Sequence, residues 1–170
     1  MDKKVNKKIQ IELSNNKKIQ LPIIESTIGP DVIDIRNLYK ETPLKFLGGC
    51  SINDANHISA PHREAEGLVQ SIKNTLDICN VIPNDIDFIN AHGTATIYND
   101  EMEARAFSKL NFNDTPVNSL KGYFGHTLGA AGIIETAISL QIMRNNLLLK
   151  CKGFQNQDLG SKLDILTENR

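Results

Sequence analysis

The sequence predicts an α/β domain behind a small β-hairpin segment. Two patterns carry that expectation. Lys8–Leu13 and Lys18–Leu21 alternate apolar and polar residues on either side of a polar turn, Ser14–Lys17, as the two arms of a hairpin do. From about Pro43 onward, short strand-like runs alternate with helical stripes, which is the mark of layered α/β structure. The division expected is a leader over 1–40 and a larger domain over 44–170. At 170 residues the chain can hold a real core, with roughly 70% of the unfolded surface buried.

Composition removes several function classes. The net charge is -1, so there is no electrostatic case for nucleic acid or an anionic membrane as partner. There is no Trp and no run of eighteen apolar residues, so no transmembrane helix is expected. Met1-Asp-Lys-Lys-Val-Asn-Lys-Lys8 is basic, but no apolar secretory core follows it. Cys50, Cys79 and Cys151 are odd in number and far apart, which favours neither a zinc site nor a disulfide framework. No metal or cofactor is called for, and a reducing, cytoplasmic setting fits.

In chain order, Gly29-Pro30 breaks the leader before Asp31–Ile35. Asp31 and Asp34 read as turn and surface residues. Leu44–Cys50 reads as a short strand ending in glycines. Ser51–Pro61 is a polar loop rich in Asx-turn formers, where His57 is a lone histidine suited to a structural hydrogen bond. His62 and Arg63 read as solvated surface. Glu64–Asn80 is a predicted helix, because Leu68, Ile72, Leu76 and Cys79 form one apolar stripe; Cys79 is then a small core residue. Ile86–Asn90 is a predicted strand leading into Ala91–Thr96. Asn99-Asp100 opens a helix over Glu101–Leu110, with acids in the first turn, where the helix dipole favours them. Thr115–Ser119 is the next strand.

That strand delivers Ser119–Gly132, which packs a Lys, a His and four glycines into fourteen residues. Glycines allow close backbone approach and positive φ. Ile133–Met143 follows and is apolar on almost every face, so a buried helix is expected. Asn145–Leu149 and Leu163–Leu166 read as final strands.

His92 and His126 therefore sit on two strand-end loops, where ligands of α/β folds bind. Two converging imidazole N–H groups could hold a carbonyl oxygen that becomes an enolate. Lys121 would add positive charge, and Glu135 could orient or neutralise that lysine, since a buried carboxylate without a partner is costly. The residues alone leave a second reading open, in which both histidines are capping or core residues.

Two resemblances extend this picture. Leu21–Arg36, within about 8–39, resembles the amino-terminal β segment of citrate synthases. In that family the segment precedes an all-helical body that holds the active site. None of that body follows here, so neither activity nor site residues carry over.

The second resemblance rests on His92-Gly-Thr-Ala-Thr96 with Asn99-Asp100, and on Lys121 with Gly125-His126-Thr-Leu-Gly-Ala-Ala-Gly132. These resemble the second half of β-ketoacyl-acyl carrier protein synthases, from about Leu44 to Asn169. Ser51–His57 resembles the segment upstream of that family's first histidine. The resemblance implies a thiolase-like carboxyl-terminal half, a mixed sheet packed with helices, and a decarboxylative Claisen condensation. In the family a cysteine accepts an acyl group carried on the phosphopantetheine of acyl carrier protein. Malonyl-carrier protein then loses carbon dioxide, and its enolate attacks the acyl-enzyme. By resemblance, His92 and His126 donate hydrogen bonds to the malonyl thioester carbonyl. Lys121 supports the second histidine, Glu135 pairs with Lys121, and Thr94 and Thr96 belong to the pantetheine channel.

The departures are part of the expectation. None of Cys50, Cys79 or Cys151 matches the family's strand-to-helix cysteine elbow, and its closing glycine- and phenylalanine-rich loop is not found. The chain is therefore expected to be a ketosynthase fragment, incomplete at its end and of recombined or truncated origin. It would lack the nucleophile and be inactive in condensation by itself. Acyl carrier protein and a complementary ketosynthase chain are the implied partners. The alternatives are a non-catalytic partner subunit and a non-functional remnant with an exposed apolar face.

Overall fold

A computed structural model describes residues 7–12, 18–24, 32–33, 46–54, 62–156 and 160–170. The expected turn at Ser14–Lys17, Asp31, Asp34 and His57 lie outside the described residues. The chain divides into two compact units, Met1–Leu47 and Gly48–Arg170.

In the first unit, β1 (Lys7–Glu12) pairs antiparallel with β2 (Lys18–Ile24), Lys7 opposite Ile23 and Gln10 opposite Gln20. A short β3 (Val32–Ile33) joins the other edge of β2, also antiparallel. The expected hairpin is present, and alternation is its cause: period-two patterning gives a strand one face that can be covered. Among the described residues of this unit, Leu21 is buried.

The second unit runs α1 (Glu66–Cys79), β4 (Ile89–Asn90), α2 (Ile97–Lys109), β5 (Pro116–Asn118), α3 (Lys121–Phe124), α4 (Ala131–Asn145) and β6 (Asp164–Ile165). Its sheet has the order β4-β5-β6, and both pairings are parallel. Ile89 lies opposite Val117, and Val117 opposite Ile165. Parallel strands put all carboxyl ends on one edge, so the loops leaving β4 and β5 emerge side by side.

The core that fixes this sheet gathers Ala91, Ala104, Phe107, Leu110, Phe112, Val117 and Leu163, with Val69, Ile72 and Leu76 of α1 packed against it. Ala104, Phe107 and Leu110 recur every third residue, which makes one stripe on α2 and its end. Burying a side chain such as Phe107 contributes about 1.5–3 kcal/mol. Both α1 and α4 stop at an asparagine in the left-handed region, Asn80 at φ 53 and Asn146 at φ 49. Asparagine tolerates that conformation better than a branched or bulky residue.

Several expectations are corrected. Residues 46–50 form no strand. The Cys50 carbonyl accepts the Ser71 hydroxyl of α1 instead of a strand neighbour. Residues 145–149 form no strand either, because α4 runs to Asn145 and turns at Asn146. Leu148 and Arg170 nevertheless exchange both N–H···O bonds, at 2.6 and 3.0 Å, as one hydrogen-bonded antiparallel pair does. The largest correction concerns α4. It was expected to be buried all round, yet only Ala131 and Ile142 are buried on it, while Ile133 is 68% and Met143 54% exposed. Uniform apolarity says that a helix gains from cover; it does not say that the described residues supply it. Among those residues, no helix is long and apolar enough to cross a membrane.

Candidate active site

His92 lies two residues past the end of β4, and the ladder continues as far as the residue between, since the Ala91 N–H donates to the Asn118 carbonyl at 2.8 Å. His126 leaves β5 through the single turn of α3 and Gly125. Sheet geometry brings the two rings together: their centroids are 5.1 Å apart and their planes cross at 86°. The two histidines therefore converge, as their like-placed loops implied.

The His92 loop is held by side chains of other elements. The His92 N–H donates to Glu103 Oε1 at 2.7 Å, and the Gly93 N–H to Glu103 Oε2 at 2.8 Å. Gly93 has φ +48, and a β-carbon there would run into the side chain of Ser119. Only glycine relieves both constraints. The Ser119 hydroxyl lies 3.1 Å from the Gly93 carbonyl oxygen, and the Lys121 N–H reaches that hydroxyl at 3.4 Å. Ser119 thus ties the loop after β4 to the loop after β5.

On the second loop, the Leu128 N–H donates to His126 Nδ1 at 3.1 Å. Nδ1 is then an acceptor, and the proton of the neutral ring sits on Nε2. Gly122 lies against the Lys152 carbonyl, where a β-carbon would collide. The Tyr123 hydroxyl donates to the Lys150 carbonyl at 3.1 Å. These contacts seat α3, and α3 carries Lys121.

Lys121 Nζ donates to Glu135 Oε1 at 2.6 Å, with the two side chains 7% and 20% exposed. The expected pair is formed, and it spans from α3 to α4. Thr94 and Thr96 share a hydroxyl hydrogen bond of 2.8 Å, and Asn99 Nδ2 donates to the Thr94 hydroxyl at 3.1 Å. They shape the far side of the His92 loop.

Electrostatics favour a neutral His92. Burial holds its pKa below the ordinary value, and the Lys121 ammonium and the His126 ring act in the same direction. Glu135 and Asp100 oppose them more weakly. Burial pushes the Glu103 carboxyl up, against the pull of the Gly93 and His92 N–H groups. It also raises Asp100, against the Thr94 and Ala95 N–H groups. Burial pushes the Cys151 thiol up as well, so a thiolate is disfavoured there.

Neither Glu103 nor Ser119 emerged as a site residue from the sequence. Glu103 left one signal: it lies four residues before Phe107 on the buried stripe of α2, and an acid on such a stripe requires partners. The assembled site sets two imidazole rings side by side, with a lysine ammonium paired to a carboxylate on the second loop and helix. Among the described residues no group of His, Cys, Asp and Glu could hold a metal ion.

Fold and site together define an α/β domain that presents two neighbouring histidine rings beyond the carboxyl ends of parallel strands. The chain belongs to the β-ketoacyl synthase family, matching its C-terminal domain over residues 46–155. It is 42% identical to a 3-oxoacyl-[acyl-carrier-protein] synthase 2 of Coxiella burnetii over 126 residues, which is 72% of this chain and 30% of that protein. The crystal structure of a β-ketoacyl synthase from Burkholderia phymatum is similar at a TM-score of 0.66 and 31% identity, covering 72% of this chain and 30% of that one. A ketosynthase in complex with its chain length factor, from Xenorhabdus doucetiae, is similar at a TM-score of 0.64 and 34% identity, covering 73% and 32%. The fold is thiolase-like, and the ketosynthase resemblance of the larger domain is borne out. The chain spans about a third of the length of these relatives.

Proposed function

We propose that this chain supplies the malonyl-side residues of a 3-oxoacyl-acyl carrier protein synthase, an acyltransferase of fatty acid or related acyl-chain biosynthesis acting in the cytoplasm. The observation that carries this reading is the His92–His126 pair, 5.1 Å ring to ring. A malonyl thioester oxygen placed between the rings would accept an N–H from each. As the bond to the carboxylate carbon breaks and carbon dioxide leaves, the electron pair moves onto that oxygen as an enolate. Donors already fixed where charge develops lower the barrier. The environment suits donation: the Nδ1 contact leaves His126 with an Nε2 proton, and His92 is biased toward its neutral form. Lys121, paired with Glu135, adds a field that favours negative charge.

In this reading Thr94 and Thr96 line the approach of the pantetheine arm, and no cofactor takes part beyond that carrier. No nucleophile is assigned to Cys50, Cys79 or Cys151. The acyl thioester that the enolate attacks would be held by a complementary ketosynthase segment. Acyl carrier protein is the partner that the Coxiella relative's name supports. The Xenorhabdus ketosynthase with its chain length factor favours a second reading, in which this chain is a non-catalytic partner subunit.

The deciding assay is decarboxylation of malonyl-acyl carrier protein by wild type and His126→Ala. Loss of one donor is expected to lower the rate about 10²–10³-fold. Equal rates would remove the site assignment. No decarboxylation by wild type, together with co-purification with a ketosynthase chain, would favour the partner-subunit reading.

A further inference from the structure

Past the bond from the Ala91 N–H to the Asn118 carbonyl, β4 and β5 part, and each continues into its own histidine loop. Ser119, the residue after Asn118, carries the connection further. Its hydroxyl faces the backbone of the first loop, 3.1 Å from the Gly93 carbonyl oxygen and 3.4 Å from that of His92. A hydroxyl has one proton to donate, and the nearer oxygen is the better acceptor. The same Oγ accepts the Lys121 N–H at 3.4 Å, at the start of the α3 turn that leads to His126. A chain of bonds therefore runs from the Lys121 N–H through the Ser119 O–H to the Gly93 carbonyl, and bonds in such a chain polarise one another. Ser119 is 6% exposed, so groups that lose this hydroxyl are left short of a partner. Close packing adds to the constraint. A β-carbon on Gly93 would meet both the β-carbon and the Oγ of Ser119, so the first loop lies directly on this side chain.

We propose that Ser119 is a positioning residue that locks the two histidine loops to each other, so that the His92 and His126 rings keep their edge-to-face contact as a unit. This inference rests on the reading of the pair as donors to one thioester oxygen, because that chemistry is what makes their separation matter. Alanine is the informative replacement. It keeps the β-carbon on which Gly93 packs and removes the oxygen that joins the loops.

The test compares the full chain with Ser119→Ala by NMR, at a temperature where both are folded. Wild type is expected to show cross-peaks between the two imidazole rings and a Lys121 amide protected from exchange. In the variant that amide should exchange roughly 10-fold faster, the loss of one neutral hydrogen bond. The ring cross-peaks should lose intensity, while the signals of core residues such as Phe107 and Val117 stay in place. Decarboxylation of malonyl-acyl carrier protein should lose roughly 10–100-fold in kcat with KM unchanged, because misplacement costs chemistry more than binding. Should Ser119→Ala fail to fold, Ser119→Cys takes its place with the same expectations, since a thiol is only a weak donor and acceptor. An unprotected Lys121 amide or absent ring cross-peaks in wild type would overturn the proposal. So would a folded variant whose cross-peaks keep their wild-type intensity, whatever its rate. Weakened cross-peaks with an unchanged rate would leave the lock standing and remove the reading of the pair as the decarboxylation site. If wild type decarboxylates nothing, that reading fails as well, and the cross-peaks still decide the lock.

Discussion

At the scale of single residues, Gly93 is the most constrained position of the site. Its φ of +48 and its contact with the Ser119 side chain both exclude a β-carbon. Gly93→Ala is expected to cost about 2–4 kcal/mol from left-handed strain plus overpacking, read as a fall in melting temperature. His92 gives a prediction in pH. Its folded pKa lies below the ordinary value of 6.5, so as pH falls through that value the unfolded chain binds the proton first. This group's contribution to stability is therefore present above 6.5 and is lost on acidification. Glu103 and Asp100 act with the opposite sign over their own ranges, because their raised pKa values let the folded chain bind protons first. His92→Gln should accordingly flatten the fall of melting temperature just below pH 6.5 while leaving the more acidic range unchanged. Lys121→Met removes the second cause of the shift, and NMR titration should then find the His92 pKa raised.

At the scale of elements, α3 shows how little secondary structure is needed to place chemistry. It spans Lys121–Phe124 and is seated through Gly122 against the Lys152 carbonyl and through Tyr123 on Lys150. Gly122→Ala should push α3 off this segment, destabilising the chain by about 1–3 kcal/mol and weakening ring-to-ring contacts between His92 and His126 in NMR. Much of this level was legible in the sequence. The hairpin was readable because alternation reports a face directly, and α1 because Ile72 and Leu76 recur at helical spacing. His92 and His126 were readable as neighbours because parallel strands share one carboxyl edge. The grip of Glu103 was not, because it joins α2 to a loop whose approach depends on sheet register. Residues 145–149 were misread as a strand because an apolar run fits a helix end and a strand equally well.

At the scale of the molecule, the chain carries two kinds of apolar residue. Phe107, Val117 and Leu163 are buried in the shared core. Leu128, Ile133 and Met143, around α4, are 77%, 68% and 54% exposed. Apolar residues gathered on an exposed face mark a place where another surface docks or where chains associate. The two kinds should separate cleanly under mutation. Phe107→Ala removes core volume and should cost about 3–5 kcal/mol, enough to unfold a marginally stable domain. Ile133→Lys with Met143→Lys removes apolar area that folding does not bury, so the shift in stability should stay within about 0.5 kcal/mol per site. The same double variant should reduce dye binding to apolar surface and lower the sedimentation coefficient of any self-associated species. A collapse of thermal stability in the lysine variant would instead place α4 inside the folded core, and the exposed face would have to be redrawn.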